Sequence, residues 1–411
     1  MRRRWVRQWA FRGIALACGG VVAAIIAEVA LRLVGVSFPL PYVPDPHTGS
    51  RLRAGFAAEF SKEGRARVRI TSDGRRDRER PVPKPAGTFR IAVLGDSYAE
   101  ALQVDQDQTF WAVLESQLND CPRFAGQTVE VLNFGVSGFG TAQELEMLRN
   151  YVWPYQPDLV LLAFLTGNDV SDNSQMLSAD GVRPYYRLRD NDLELDRSFQ
   201  NHPYYRDALS PYFRFKVALI NRCRLLQVGR QVWAEWRQRG GRPQVPELEA
   251  GLDPVYVEPA DDDWREAWEI TERLLKRVHE QVTSHGAELL VVTLSNGVQV
   301  HPDPDLRARV EARWHVPDLF YPDRRVEAFC ERQQIPVLVL APRLQQYAQD
   351  QQRFLHGFKN TRLGTGHWND DGHRLAGLWI AETICAAREE PRSAGESAAP
   401  DDAGQGPTQR Q

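Results

Sequence analysis

The sequence predicts a doubly wound α/β domain behind a single membrane-spanning helix. Three observations carry this expectation. Short apolar runs alternate with helical stretches from residue 90 onward, the rhythm of a parallel sheet with crossover helices. The run Leu159–Leu165 is apolar at every position, as a strand covered on both faces should be. The N-terminus joins a basic tip to an apolar stretch of about 24 residues, long enough to cross a bilayer.

The elements follow in order. Residues 1–12 carry five arginines, and residues 13–27 carry no charge. A basic start orients such a helix with its N-terminus inside, so 13–36 reads as a signal anchor with the remainder outside. Cleavage is the rival reading. The only Ala-x-Ala, at Ala15 and Ala17, comes too early to leave an apolar core for a signal peptide. Glu28 and Arg32 stand four apart and can pair. Residues 37–67, with prolines at 39, 41, 44 and 46, read as a juxtamembrane linker.

The domain is expected over 68–388. Strands are expected at 91–94, 129–134, 159–165, 288–294 and 337–340, with helices at 109–118, 141–151, 263–285, 323–333 and 370–387. Residues 176–260 break the pattern and read as an insertion over the sheet edge, holding one long helix over 212–237. Residues 389–411 have the composition of a disordered tail.

Bulk properties exclude little. Hydrophobic residues make up 42% and charged residues 26%, ordinary for a globular protein. A formal net charge of -3 calls for no nucleic acid partner. The arginines over 65–80 read as a solvated basic surface near the membrane. The five cysteines form no CxxC and no zinc-like spacing, and their pairing stays open. No metal or organic cofactor is implied.

Chemistry concentrates at the strand ends. The first strand ends in Gly95-Asp96-Ser97, the second in Asn133-Phe134-Gly135-Val136-Ser137-Gly138, and the third in Thr166-Gly167-Asn168-Asp169. After the last strand comes His367-Trp368-Asn369-Asp370-Asp371-Gly372-His373. In a doubly wound sheet, sites form beyond the carboxyl ends of the strands. A serine needs a base to become a nucleophile, and histidine titrates in the range to serve. The oxyanion of acyl transfer needs fixed donors, which the backbone of Gly138, the Asn168 amide and the Ser97 N–H could supply. Each residue also has a plainer reading. Ser97 could cap a helix, Gly138 could serve a turn, Asn168 could cap, and Trp368 could be a packed aromatic.

The blocks GDSYAE, NFGVSGFGT, LTGND and HWNDDGH resemble, in order and rough spacing, those of the SGNH/GDSL hydrolases. The resemblance runs over about 68–387 outside the insertion. It implies a flavodoxin-like doubly wound parallel sheet of five strands, with Ser97 as nucleophile, Gly138 and Asn168 as oxyanion donors, and a histidine before the last helix as base. His367 is the preferred base. The family's acid stands two or three residues before its histidine, where this chain has Gly364 and Thr365. A Ser–His pair, with Thr365 or a carbonyl orienting the ring, is therefore expected. The alternative base is His373 with Asp370, which spell a literal Asp-x-x-His. On the preferred reading, Asp370 and Asp371 favour the helix dipole and His373 lies on the helix surface.

The resemblance and the anchor together imply a membrane-bound, extracytoplasmic serine esterase. It would remove acyl groups, acetyl foremost, from a cell-envelope carbohydrate or similar ester. An O-acyltransferase on an envelope polysaccharide uses the same site and is the first alternative. A non-catalytic binding scaffold, favoured by the missing acid, is the second.

Overall fold

Helix α1 (Arg2–Val34) runs unbroken through the N-terminal stretch. Its segment Arg7–Val34 is long and apolar enough to cross a membrane, and none of its residues is buried, which supports membrane association. Glu28 and Arg32 do pair, at 2.8 Å. The computed structural model describes residues 2–178, 180–190, 192–239 and 254–387. The tail expected at 389–411 lies outside the described residues, as does 240–253 of the insertion.

Residues 37–67, read as a linker, fold onto the domain. β1 (Tyr42–Asp45) and β2 (Gly49–Leu52) form one antiparallel hairpin, and β3 (Ala57–Phe60) and β4 (Ala66–Arg69) a second. Leu52, Val68 and Ile70 bury with Leu102 in a small core of their own. The arginine run that follows is not all solvated surface. Arg75 and Arg76 are buried. Arg75 meets Asp77 at 2.6 Å, and Arg76 donates to the carbonyls of Glu100 and Val104. Only such partners make burial of a guanidinium tolerable.

The main domain follows in alternation. It starts with β5 (Thr88–Gly95), α2 (Ser97–Glu100), α3 (Phe110–Asn119), β6 (Thr128–Asn133), α4 (Thr141–Met147) and β7 (Leu159–Leu165). After β7 comes α5 (Asp169–Asp172); α6 (Gln175–Ser178) then enters the insertion, which goes on with the hairpin β8 (Tyr185–Arg189) and β9 (Asp192–Asp196), α7 (Pro203–Ala208), α8 (Pro211–Arg222) and α9 (Arg224–Arg239). The single helix expected over 212–237 is thus two, because Cys223 adopts extended dihedrals between them. The chain closes with α10 (Asp262–Ser284), β10 (Glu288–Leu294), α11 (Pro304–Trp314), α12 (Tyr321–Arg332), β11 (Val337–Val339), α13 (Ala341–Gln351) and α14 (Asp370–Ala386).

The five long-range strands form one parallel sheet in the order β11-β10-β7-β5-β6. Numbered by appearance, the order is 2-1-3-4-5, the flavodoxin-like arrangement. Side chains alternate between its faces, as the two-residue period of a strand requires. On β5, Ile91 and Val93 enter the core formed with α3, α13 and α14, while Ala92 and Leu94 enter the core formed with α4, α10 and α12. Both faces are covered, which is why β7 is apolar throughout. A disulfide joins Cys121, just after α3, to Cys385 near the end of α14.

Candidate active site

Three neighbouring strands deliver three of the singled-out residues to one edge. β5 runs straight into Ser97, the loop after β6 carries Gly138, and the turn after β7 carries Asn168. These strands are adjacent in the order β7-β5-β6, so the chain turns from one side of β5 to the other there, and a crevice opens at such a switch point.

Ser97 heads α2. Asp96 caps that helix, accepting the Tyr98 N–H at 2.9 Å, and is itself buried. Ser97 is partly exposed while Asp96 and Tyr98 are not, so the turn presents the serine hydroxyl alone to the crevice. The β6 loop is pinned to α2 by Glu100, which accepts the Ser137 N–H at 2.7 Å and the Tyr42 hydroxyl at 3.0 Å. Beyond that clamp Gly138 is exposed with φ +77, a conformation glycine adopts without penalty. Asn168 is partly exposed, and one of its amide N–H groups reaches Asp172 at 3.1 Å.

His367 reaches this edge from the loop before α14. Its Nε2 lies 2.8 Å from Ser97 Oγ. Its Nδ1 lies 2.5 Å from Glu63 Oε2, and its backbone N–H donates to Glu63 Oε1 at 2.8 Å. A carboxylate therefore does orient the ring, and neither Thr365 nor a carbonyl takes that place. Thr365 instead donates to the Arg362 carbonyl at 2.9 Å. Glu63 sits in the turn between β3 and β4. Asn360 holds that turn, accepting the Gly64 N–H at 3.0 Å and donating to the Ser61 and Gly64 carbonyls at 3.1 and 3.0 Å. Gly366, at φ +73, leaves the space for it, since a Cβ there would collide with Glu63 Oε1.

The electrostatics follow the geometry. Burial opposes charge on His367, but the hydrogen bond and negative charge of Glu63 outweigh it and raise the ring's pKa above its ordinary 6.5. Burial likewise opposes charge on Glu63, and the bonds to His367 outweigh it, so its pKa falls below 4.5. Behind the pair, His356 is fully buried and pushed down to about 4 by that burial. Its Nδ1 bonds the Gly366 carbonyl at 2.8 Å, and Tyr98 donates to the same carbonyl at 3.1 Å. His356 also bridges to Trp368 as an isolated strand pair, which zips the His367 loop to residues 355–357. Under the crevice, Asp96, Glu144 and Asp169 are buried, burial weakens the acidity of all three, and the charge of Asp96 weakens that of Glu144 and Asp169 further.

The alternative base is placed elsewhere. His373 is fully buried, not on the helix surface; its ring stacks on Phe110 and its Nδ1 accepts the Phe110 N–H at 3.3 Å. Asp370 is exposed at the helix start, and Trp368 is a packed aromatic without exposure. One cleft, about 710 Å³, opens behind the Glu63 hairpin between the end of α1 and Phe358, and neither Ser97 nor His367 lines it. Among the described residues, no cluster of His, Cys, Asp and Glu has the makings of a metal site.

Sequence reasoning missed Glu63, His356 and Tyr98 as parts of one constellation. The alternating strands around Ser61–Arg65 and the glycine at 64 do signal a hairpin, but nothing local links its tip to a histidine 304 residues away.

No family model matches this chain, and no curated protein matches it in sequence. Solved structures with a similar chain course include an acetyl xylan esterase, AlAXEase, at 10% identity and TM-score 0.38, covering 72% of this chain and 100% of that one. Another is LAE5, an alpha/beta hydrolase from the Lake Arreo metagenome, at 14% and 0.36, covering 73% and 97%. A GDSL-like lipase from Bacteroides thetaiotaomicron is similar at 11% and 0.31, covering 72% and 87%. At these TM-scores the chemistry has to rest on the site itself.

Proposed function

We propose that this protein is a membrane-anchored serine esterase acting through a Ser97–His367–Glu63 triad. The observation that carries the reading is the unbroken chain from Ser97 Oγ to His367 Nε2 at 2.8 Å and from His367 Nδ1 to Glu63 Oε2 at 2.5 Å. In this reading His367 takes the serine proton as Oγ bonds to the acyl carbon, then gives it to the departing alcohol. Glu63 holds the ring in the tautomer whose Nε2 can accept, and stabilises the imidazolium that forms. The N–H groups of Gly138 and Ser97 and the Asn168 amide receive the oxyanion, each worth about 3 kcal/mol of barrier. Water then releases the acid from Ser97 by the same steps in reverse. The scaffold alternative leans on a missing acid, and the contact of Glu63 with His367 supports the esterase reading over it.

The substrate proposed is an acyl ester, acetyl foremost, of a cell-envelope carbohydrate. The arginines in the first turns of α1 support an inside N-terminus, and the Cys121–Cys385 disulfide supports an oxidising compartment for the domain. The test is p-nitrophenyl acetate hydrolysis and fluorophosphonate labelling of the full chain in detergent, beside Ser97→Ala and His367→Ala. Turnover and labelling are expected in the parent alone. A folded parent with no turnover or labelling above Ser97→Ala would overturn the reading.

A further inference from the structure

Beyond α1, exposed large apolar side chains concentrate in one region. Outside that helix, twelve large hydrophobic residues are exposed among the described residues, and nine of them fall between Tyr204 and Trp236. They are not scattered. On α8, Tyr212, Phe215 and Leu219 follow at spacings of three and four, which is one helix face. On α9, Leu226, Trp233 and Trp236 share a face in the same way. A water-facing surface of this size and composition needs an occupant.

Charge points to its chemistry. Residues 211–239 carry seven Lys or Arg against one Glu, in a chain whose net charge is -3. Arg214, Lys216 and Arg222 are exposed beside the apolar face. Apolar faces rich in Trp and Phe, flanked by basic residues, are the signature of helices that lie in a lipid interface, with the bases on anionic headgroups.

The junction of the two helices is also fixed to α1 at a definite height. Glu28 of α1 accepts the N–H groups of Arg224 and Leu225 at 3.1 and 3.0 Å, capping α9, and Arg32 donates to the Arg222 carbonyl at 2.5 Å. Glu28 lies six residues before the end of α1, about 9 Å along its axis. The apolar segment of 28 residues is about 42 Å long against a hydrocarbon core of about 30 Å. Glu28 thus falls near the boundary of core and headgroups, and α9 begins there. The cleft behind the Glu63 hairpin shares this level, since Val34 and Phe38 line it together with the exposed Leu363.

We propose that the helix pair α8–α9 lies in the interface of the bilayer that α1 crosses, its apolar faces among the acyl chains and its basic residues on anionic headgroups. The proposal rests on α1 being inserted. Its test is electron paramagnetic resonance on the full chain in phosphatidylcholine–phosphatidylglycerol vesicles. Cys18, Cys223 and Cys330 are replaced by serine, and single nitroxides are placed by Leu219→Cys, Trp233→Cys, Ile25→Cys or Met176→Cys. Collision with oxygen, which partitions into lipid, is compared with collision with an aqueous nickel chelate. The oxygen-to-nickel ratio at 219 and 233 is expected to rise toward that at 25 and to exceed that at 176. Aqueous values at 219 and 233 with a lipid value at 25 would overturn the proposal alone. An aqueous value at 25 as well would overturn the insertion of α1 beneath it. Spin–spin broadening at 219 and 233, with little collision with either reagent, would make the face a contact between two copies and would also overturn it.

Discussion

Replacing Glu63 with glutamine keeps the side chain's length and removes its charge. In the parent, the two carboxylate oxygens take two N–H groups of one residue, the ring Nδ1–H and the backbone N–H of His367. A primary amide offers one acceptor end and one donor end. With its oxygen on the backbone N–H, its NH₂ faces Nδ1, and the ring must carry its proton on Nε2, where it can no longer accept from Ser97. Turned the other way, its NH₂ meets the backbone N–H, donor against donor. The wrong tautomer in a triad costs about 10⁴ in kcat, or about 5.4 kcal/mol. The lost charge acts separately, because Glu63 is what holds the His367 pKa above 6.5. His367 must be neutral to act as base, so the acidic limb of kcat/KM is expected above pH 6.5 in the parent and at lower pH in Glu63→Gln. The assay is p-nitrophenyl acetate hydrolysis from pH 5 to 9, with a fall of about 10³–10⁴ in kcat and a KM changed only a few-fold. A variant within about threefold of the parent, with its acidic limb unmoved, would refute the role given to Glu63.

The same pair makes a stability prediction. Glu63 titrates below 4.5 and His367 above 6.5, so their pairing stabilises the fold between those limits. It is lost as pH falls through the depressed Glu63 value or rises through the raised His367 value, and the melting difference between parent and Glu63→Gln should peak in that window. Gly366→Ala would push a Cβ into Glu63 Oε1, so steady-state kinetics should show a loss like that of Glu63→Gln while circular dichroism stays unchanged. Glu144 is buried with neither carboxyl oxygen bonded, and burial raises its pKa well above 4.5. The folded state holds that proton more tightly than the unfolded chain, so stability is lost as pH rises through the interval. Glu144→Gln should match the parent near pH 4.5 and exceed it in thermal melts at pH 8, by about 1.4 kcal/mol for each tenfold by which folding weakens the acid.

Much of the fold is legible in the sequence because its signals are local. The five strands announce themselves as apolar runs, and the residues at their ends follow from the geometry of a doubly wound sheet. Ser97 and His367 can be placed at one edge on that basis. The burial of His373 is legible too, although the helix-surface reading passes over it. This histidine falls on the stripe with Ala376, Ile380 and Ile384, at spacings of three and four, and that stripe faces the core. Glu63 cannot be found in this way. Its partner lies at the far end of the chain, and the prolines before it read as a linker because what docks that segment on the domain is long-range, as in the bonds of Tyr151 to Asp45 and of Gln143 to the Thr48 carbonyl. The break at Cys223 is equally hidden, since the cap on the new helix is the carboxylate of Glu28 in a distant helix.

The N-terminal hairpin that carries Glu63 also decides where this chain can be cut. A fragment starting at residue 68 would retain all five sheet strands, both faces of the core, Ser97 and His367. It would nevertheless lack Glu63, the acid of the proposed triad, and with it the Leu52 side of the small core and the pairing of β3 with β4. Removing only α1 is a subtler matter. Ser37 and Ser61 exchange hydrogen bonds between the anchor's exit and the hairpin, at 2.9 Å from the Ser37 N–H and 3.1 Å to its carbonyl. A soluble form that begins after residue 37 gives up that brace, whereas one that begins at 35 or 36 keeps it. Low activity in a truncated preparation would therefore measure the choice of first residue before it tested the proposed triad.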